Sequence, residues 1–191
     1  MRPEKKTVHL ALSSWMLALM ALLSVSSVHA EKADSLKEMT IEADQFLNNG
    51  KTNVSTFSGD VVVVRGTLKV RAEKAVVTKS ADEFQHVVLT AKPGAKITFR
   101  QKRDGGPDLW VEGESEKAEY DEKTEFVKFL FRAQIRYLDG NKVTQQQEGE
   151  FLSYDSKNDV FVGVNSSSGQ AVSGGGRIKT TIQPRTEKQA N

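Results

Sequence analysis

Phe57-Ser58-Gly59-Asp60-Val61-Val62-Val63-Val64-Arg65-Gly66-Thr67-Leu68-Lys69-Val70-Arg71-Ala72-Glu73-Lys74 is the stretch that decides the fold. Phe57, Gly59, Val61 and Val63 occupy alternate positions, and Leu68, Val70 and Ala72 resume the alternation beyond Arg65-Gly66. Side chains two apart share one face of a strand, so this reads as two strands joined by a tight turn, with one face apolar. The run Val61–Val64 is apolar on both faces. Core packing explains that in most proteins, but it also suits a central strand packed on one side and lining a cavity on the other.

The same alternation continues outward from this stretch, whereas no segment sustains apolar residues at i, i+3, i+4 and i+7 over three turns. Turn chemistry punctuates it at Asn48-Asn49-Gly50, Arg65-Gly66, Pro93-Gly94, Asp104-Gly105-Gly106-Pro107, Asp121-Glu122-Lys123 and Asp139-Gly140-Asn141. Turns at this interval indicate an all-β sandwich or barrel. One domain is expected over 39–182, with a flexible polar lead-in at 31–38 and a disordered tail at 183–191.

A short phrase recurs at 43, 72, 115 and 149. A small residue precedes an acid in Ala43-Asp44, Ala72-Glu73, Ser115-Glu116 and Gly149-Glu150. In each copy the next inward-type residue (Phe46, Ala75, Ala118, Leu152) lies an odd step away, which strict alternation would send to solvent. A bulge or sharp corner at the small-acidic pair restores it to the inside, and small residues suit corners where backbones approach closely. Units of this kind bury their apolar faces against one another. Stacked corners then make a crease, with two facing sheets forming an open jelly-roll-like trough.

The first thirty residues read as a secretory signal. Arg2, Lys5 and Lys6 precede an apolar run from Leu10 to Leu23, and Val28-His29-Ala30 offers a cleavage site between Ala30 and Glu31. As a helix the run rises only ~21 Å, short of the ~30 Å hydrocarbon core of a bilayer. Of 27 basic and 25 acidic residues, Arg2, Lys5, Lys6 and Glu4 lie in this segment, leaving 24 of each. The balance excludes the net basic surface that sequence-independent nucleic-acid binding needs. The chain has no cysteine, so it has neither a lipidated cysteine nor a disulfide.

Catalytic motifs are sparse. His86 is the only histidine beyond the signal, and its place in Glu83-Phe84-Gln85-His86-Val87 reads as a solvated turn. Cysteine–histidine catalysis and cysteine-rich zinc sites are excluded, and no Gly-x4-Gly-Lys phosphate loop occurs. Glu112, Glu114, Glu116, Glu119, Asp121, Glu122 and Glu125 could pair as catalytic carboxylates or bind calcium. Yet the first three alternate with Val111, Gly113 and Ser115, as on a solvated strand face. Gly174-Gly175-Gly176 reads as a bend or hinge between β-type segments. No cofactor or metal is called for, and the chain reads as a non-enzyme.

The stretch from Phe57 to Lys74 resembles the signature of the OstA-like family, Phe-[Ser/Thr]-Gly-[Asp/Asn]-Val-x-Val-x-x-Gly-Thr-[Ile/Leu]-Lys-[Ile/Val]-x-Ala-[Asp/Glu]. Ile41-Glu42-Ala43-Asp44, Tyr120, Phe126-Val127 and Tyr154 also fit, so the likeness spans roughly Met39 to Ile182. Phe131 departs from it, standing where a second such phrase has glycine. The resemblance implies a single open, V-shaped β-jelly roll in the periplasm, polymerising head to tail by strand addition at its open edges. It implies lipopolysaccharide as cargo, its acyl chains inside the crease. The N-terminal edge would meet an anchored inner-membrane component and the C-terminal edge an outer-membrane translocon.

Strand parity assigns the lining to Ile41, Phe57, Val61, Val63, Leu68, Val70, Val87, Leu89, Ile97 and Phe99, with Phe129 and Ile135 beside them. Burying a methylene contributes about 0.8 kcal/mol, so one twelve-carbon chain gains on the order of 8–10 kcal/mol. A closed pocket would trap a lipid with several chains. A continuous groove lets it pass between equivalent rungs, driven by a motor elsewhere. Three other readings stand beside this one: a structural adaptor that adds strands to partners without carrying lipid, a jelly-roll enzyme acting on glycans, and a membrane-anchored member of the same family.

Overall fold

The computed structural model describes Asp34 and residues 36–155, 157–158 and 160–184. The signal segment, its Ala30–Glu31 junction and residues 185–191 lie outside the described residues. In chain order the strands are Met39–Glu42 (β1), Gln45–Asn49 (β2), Val54–Arg65 (β3), Leu68–Lys79 (β4), Gln85–Thr90 (β5) and Ile97–Lys102 (β6). Leu109–Ser115 (β7), Lys117–Asp121 (β8), Phe126–Asp139 (β9), Lys142–Asp155 (β10), Val160–Val164 (β11) and Lys179–Ile182 (β12) follow. All pairings are antiparallel. Each of the six turn signals lies on or runs into a turn or bend between strands.

Four long strands run through both halves of one folded sheet. The first halves of β3 and β9 and the second halves of β4 and β10 belong to the order β2–β3–β4–β5–β8–β9–β10–β11. Their other halves belong to β1–β3–β4–β6–β7–β9–β10–β12. The chain crosses between halves at the small-acidic pairs. Ala43-Asp44 separates β1 from β2, Glu116 separates β7 from β8, and Ala72-Glu73 and Gly149-Glu150 lie inside β4 and β10.

The corners between them were not legible as such. Gly59, read as a member of an alternating face, has φ 80°, and Asp60 has φ 42°. Phe131 and Arg132 repeat that pair in β9 at φ 64° and 49°. The ladder shifts register between Ser58 and Val61, and between Gly149 and Phe151, so each left-handed pair faces a single acidic residue, Glu73 or Glu150. Backbone bonds complete the crease: Asp44 N–H donates to the Gly59 carbonyl at 3.0 Å and Glu116 N–H to that of Phe131 at 3.2 Å. These bulges restore the interrupted parity.

Burial follows distance from the crease. Val61, Ala75, Ile97, Ala118, Phe129, Ala133, Ile135 and Leu152 are all buried. Most of them form one core cluster, flanked by half-buried Ala72, Leu89, Ala91, Phe99, Val111, Val127, Tyr137 and Phe161. Toward the rim Tyr120 is 37% exposed, and on the edge strand β2 Phe46 is 59% exposed. The section is therefore a wedge, packed at the bottom and open at the lips.

Hydrogen bonds reach the described residues nearest both ends. Asp34, in the lead-in, is buried and accepts hydrogen bonds from Thr67 N–H (2.9 Å), Thr67 Oγ1 (2.5 Å) and Gln101 Nε2 (3.2 Å). Gln183, at the start of the tail, donates its N–H to the Thr144 carbonyl at 2.9 Å.

Candidate functional site

Register carries one apolar face across the molecule. Partners directly opposite in a ladder point to the same side, so pairing can be followed from strand to strand. In one half Ile41 lies opposite Val63, Val63 opposite Val70, Val70 opposite Phe99, Phe99 opposite Gly113, and Gly113 opposite Ile135. In the other, Phe46 is followed by Phe57, Ala75, Leu89, Ala118, Phe129, Leu152 and Gly163. Leu68, Val61, Ile97 and Val87 sit an even step from members of these rows. All twelve residues assigned by parity thus share the inner face.

They do not share it equally. Val61, Val70, Ile97, Phe129 and Ile135 form the floor, each no more than 9% exposed, and have little surface left for a ligand. Ile41, Phe57, Val63, Leu68, Val87, Leu89 and Phe99 form walls with part of their surface open. Phe99 and Phe129 come from opposite halves and stack at 4.9 Å between ring centroids, joining the two walls. Gly113 leaves the room: a β-carbon there would fall 2.1 Å from the Phe99 ring.

Sequence parity missed further wall residues. Phe46 packs on Phe57 with the rings tilted, 4.8 Å between centroids, and Val111, Val127, Tyr137 and Phe161 pack against the core from the same side. Even steps from Phe129 and Ile135 would have found Val127 and Tyr137. Tyr120 faces the rim, where burial and the nearby Glu122 and Glu125 push its phenol up and keep it neutral. The face turns polar at β10, where Gln147 lies opposite Ile135 and Gln145 opposite Tyr137.

The acids of β7 and β8 lie outside. Glu112 pairs with Arg100 and Arg136, Glu114 with Lys96, and Glu116 with Arg132. The Lys117 ammonium, bonded at 2.6 Å, holds the Glu119 carboxyl below its ordinary range. These acids are ion-pair partners, Glu119 within β8 and also with Lys128 of β9, and among the described residues no group of three or more acids and histidines is placed to hold a metal. His86 is not in a turn: it lies in β5 opposite Thr78 and Asp121, on the outer face. Gly174 turns with φ 75°, and Asn165 Nδ2 donates to the carbonyls of Val172 and Gly176, both at 2.9 Å, pinning that bend.

A folded-over antiparallel sheet with an apolar inner face and, among the described residues, two unpaired edges defines an open β-jelly-roll trough. The profile described as LptA/(LptD N-terminal domain) LPS transport protein matches residues 40–160, and the chain belongs to this family. It is 31% identical over 141 residues to the lipopolysaccharide export system protein LptA of Haemophilus influenzae, covering 74% of this chain and 77% of that one. With LptA of Escherichia coli K12 it shares 31% over 140 residues, covering 73% and 71%. The crystal structure of LptH, the LptA homologous periplasmic component of the lipopolysaccharide transport device of Pseudomonas aeruginosa, superposes with a TM-score of 0.64. That match covers 79% of this chain and 99% of the other at 22% identity, and shows the shared fold.

Proposed function

We propose that this chain is exported by cleavage between Ala30 and Glu31 and carries lipopolysaccharide across the periplasm toward the outer membrane. Copies join head to tail by strand addition into a bridge. The N-terminal edge meets the anchored inner-membrane component and the C-terminal edge the outer-membrane translocon. The role is carriage, and the chain catalyses no step. The observation that supports this reading is the unbroken inner face from Ile41 to Ile135, packed at the crease and open along its lips. Acyl chains laid along Ile41, Phe57, Val63, Leu68, Val87 and Leu89 leave water, while the lipid's sugars and phosphates stay in it.

Photo-crosslinking tests the face. Val63 and Leu89 point inward, while their neighbours Val62 and Val88 point outward. Crosslinkers at Val63 and Leu89 are expected to give lipopolysaccharide adducts, and those at Val62 and Val88 none. Adducts from the outer pair alone would overturn the assigned face. Adducts from neither pair would leave the adaptor role without lipid as the better reading.

A further inference from the structure

The exposed large apolar residues Met39, Phe46, Leu47, Val160, Val162 and Ile182 all lie on the edge strands β1, β2, β11 and β12. Beside the crease, charge divides between the two edges. Glu42 and Asp44 at the N-terminal edge and Arg177 at the C-terminal edge are exposed, with no ion pair among the described residues. Exposed Lys179 reaches only Glu148, at 3.8 Å. The ladder sets these residues level with one another. The outer row that begins with Glu42 opposite Val62 ends with Glu148 opposite Lys179. In the other half, the outer row that begins with Leu47 opposite Thr56 ends with Ser153 opposite Val162.

An odd number of antiparallel steps separates β1 from β12 and β2 from β11, so the two strands of each pair run in opposite directions. A second copy stacked with its crease aligned therefore continues both antiparallel ladders. Lys179 then faces the next copy's Glu42, Thr181 its Thr40, and Ile182 its Met39. Just before β12, Arg177 faces the next copy's Asp44. In the other half Val162 faces its Leu47, and its Phe46 ring lies over Gly163. We propose that the ion pairs Lys179–Glu42 and Arg177–Asp44 between copies set this register, so that crease and apolar inner face run on without a step. A one-residue slip would join inner face to outer face. A two-residue slip keeps at most one ion pair and breaks the crease. This rests on the head-to-tail reading above.

The chain has no cysteine, so introduced pairs report the register directly. In the mature chain carrying Thr40→Cys and Thr181→Cys, oxidation should give a ladder of disulfide-linked multimers on non-reducing gels. Thr40→Cys with Thr180→Cys, whose side chains point to opposite faces, should give about tenfold less. In sedimentation velocity Glu42→Lys and Lys179→Glu should each weaken association about fivefold. The chain carrying both reversals should recover it to within about twofold. The losses should shrink in about 1 M salt. Both residues are exposed, so the melting temperatures should hold. The register is overturned if the wild type associates while the aligned cysteine pair links no better than the shifted one, or if the double reversal fails to recover. A wild type that stays monomeric and gives no cross-link from either pair would instead overturn the head-to-tail reading itself.

Discussion

At Gly59 a β-carbon would lie 2.2 Å from an Asp44 carboxylate oxygen, and φ is 80°. At Phe131 the same corner is built around a phenylalanine at φ 64°, 39% exposed. A left-handed backbone costs a bulky residue about 1–2 kcal/mol. Gly59→Ala is therefore expected to lose about 2 kcal/mol or more, whereas Phe131→Gly should gain about 0.5–1 kcal/mol, both read from urea denaturation. Asp34 poses an electrostatic question. Burial raises its carboxyl, but hydrogen bonds from the Thr67 hydroxyl and amide and from Gln101 outweigh burial and hold it below the ordinary range. A folded-state pKa below the unfolded one stabilises above the ordinary carboxylate pKa, and that contribution fades as pH falls through it. Thr67→Val should cost about 1–2 kcal/mol at neutral pH, and the deficit should shrink near pH 3. An unchanged deficit at acid pH would mean that Asp34 is not the group involved.

At the scale of elements, the edges carry the consequence. Among the described residues β1 and β2 pair with β3 alone, and β11 and β12 with β10 alone, so each end presents unsatisfied backbone groups. Such edges pair with other copies unless charge blunts them. Every residue of β2 is exposed, and Leu47 is 64% exposed on the face opposite Phe46. If copies join through this edge as proposed, Leu47→Lys should leave the melting temperature within experimental scatter while weakening self-association roughly fivefold in sedimentation velocity. Equal association of both forms would place the contact elsewhere. The strands themselves were legible from alternation and turn chemistry. The two left-handed pairs were not, because Phe57 and Val61 keep even spacing across a corner as they would along a straight strand.

For the whole molecule, depth in the wedge separates stability from binding. Leu152 is fully buried on the floor, while Val63 lies on a half-open wall. Leu152→Ala is expected to cost about 3–4 kcal/mol, and Val63→Ala less than about 1.5 kcal/mol while weakening lipid binding more than Leu152→Ala does. Denaturation and calorimetry on both variants check the split, and matched losses in both would remove the distinction between floor and wall. The sequence by itself determined the strands, their inward faces and the shared corners at the acidic phrases. Those follow from a local period of two and from the breaks in it. Only the tertiary structure decided which inward residues are floor and which are wall. Depth depends on how far apart the two halves stand, which is set by contacts such as Phe99 on Phe129 between strands distant in the chain. A local pattern contains the side of a strand but not the distance to what faces it.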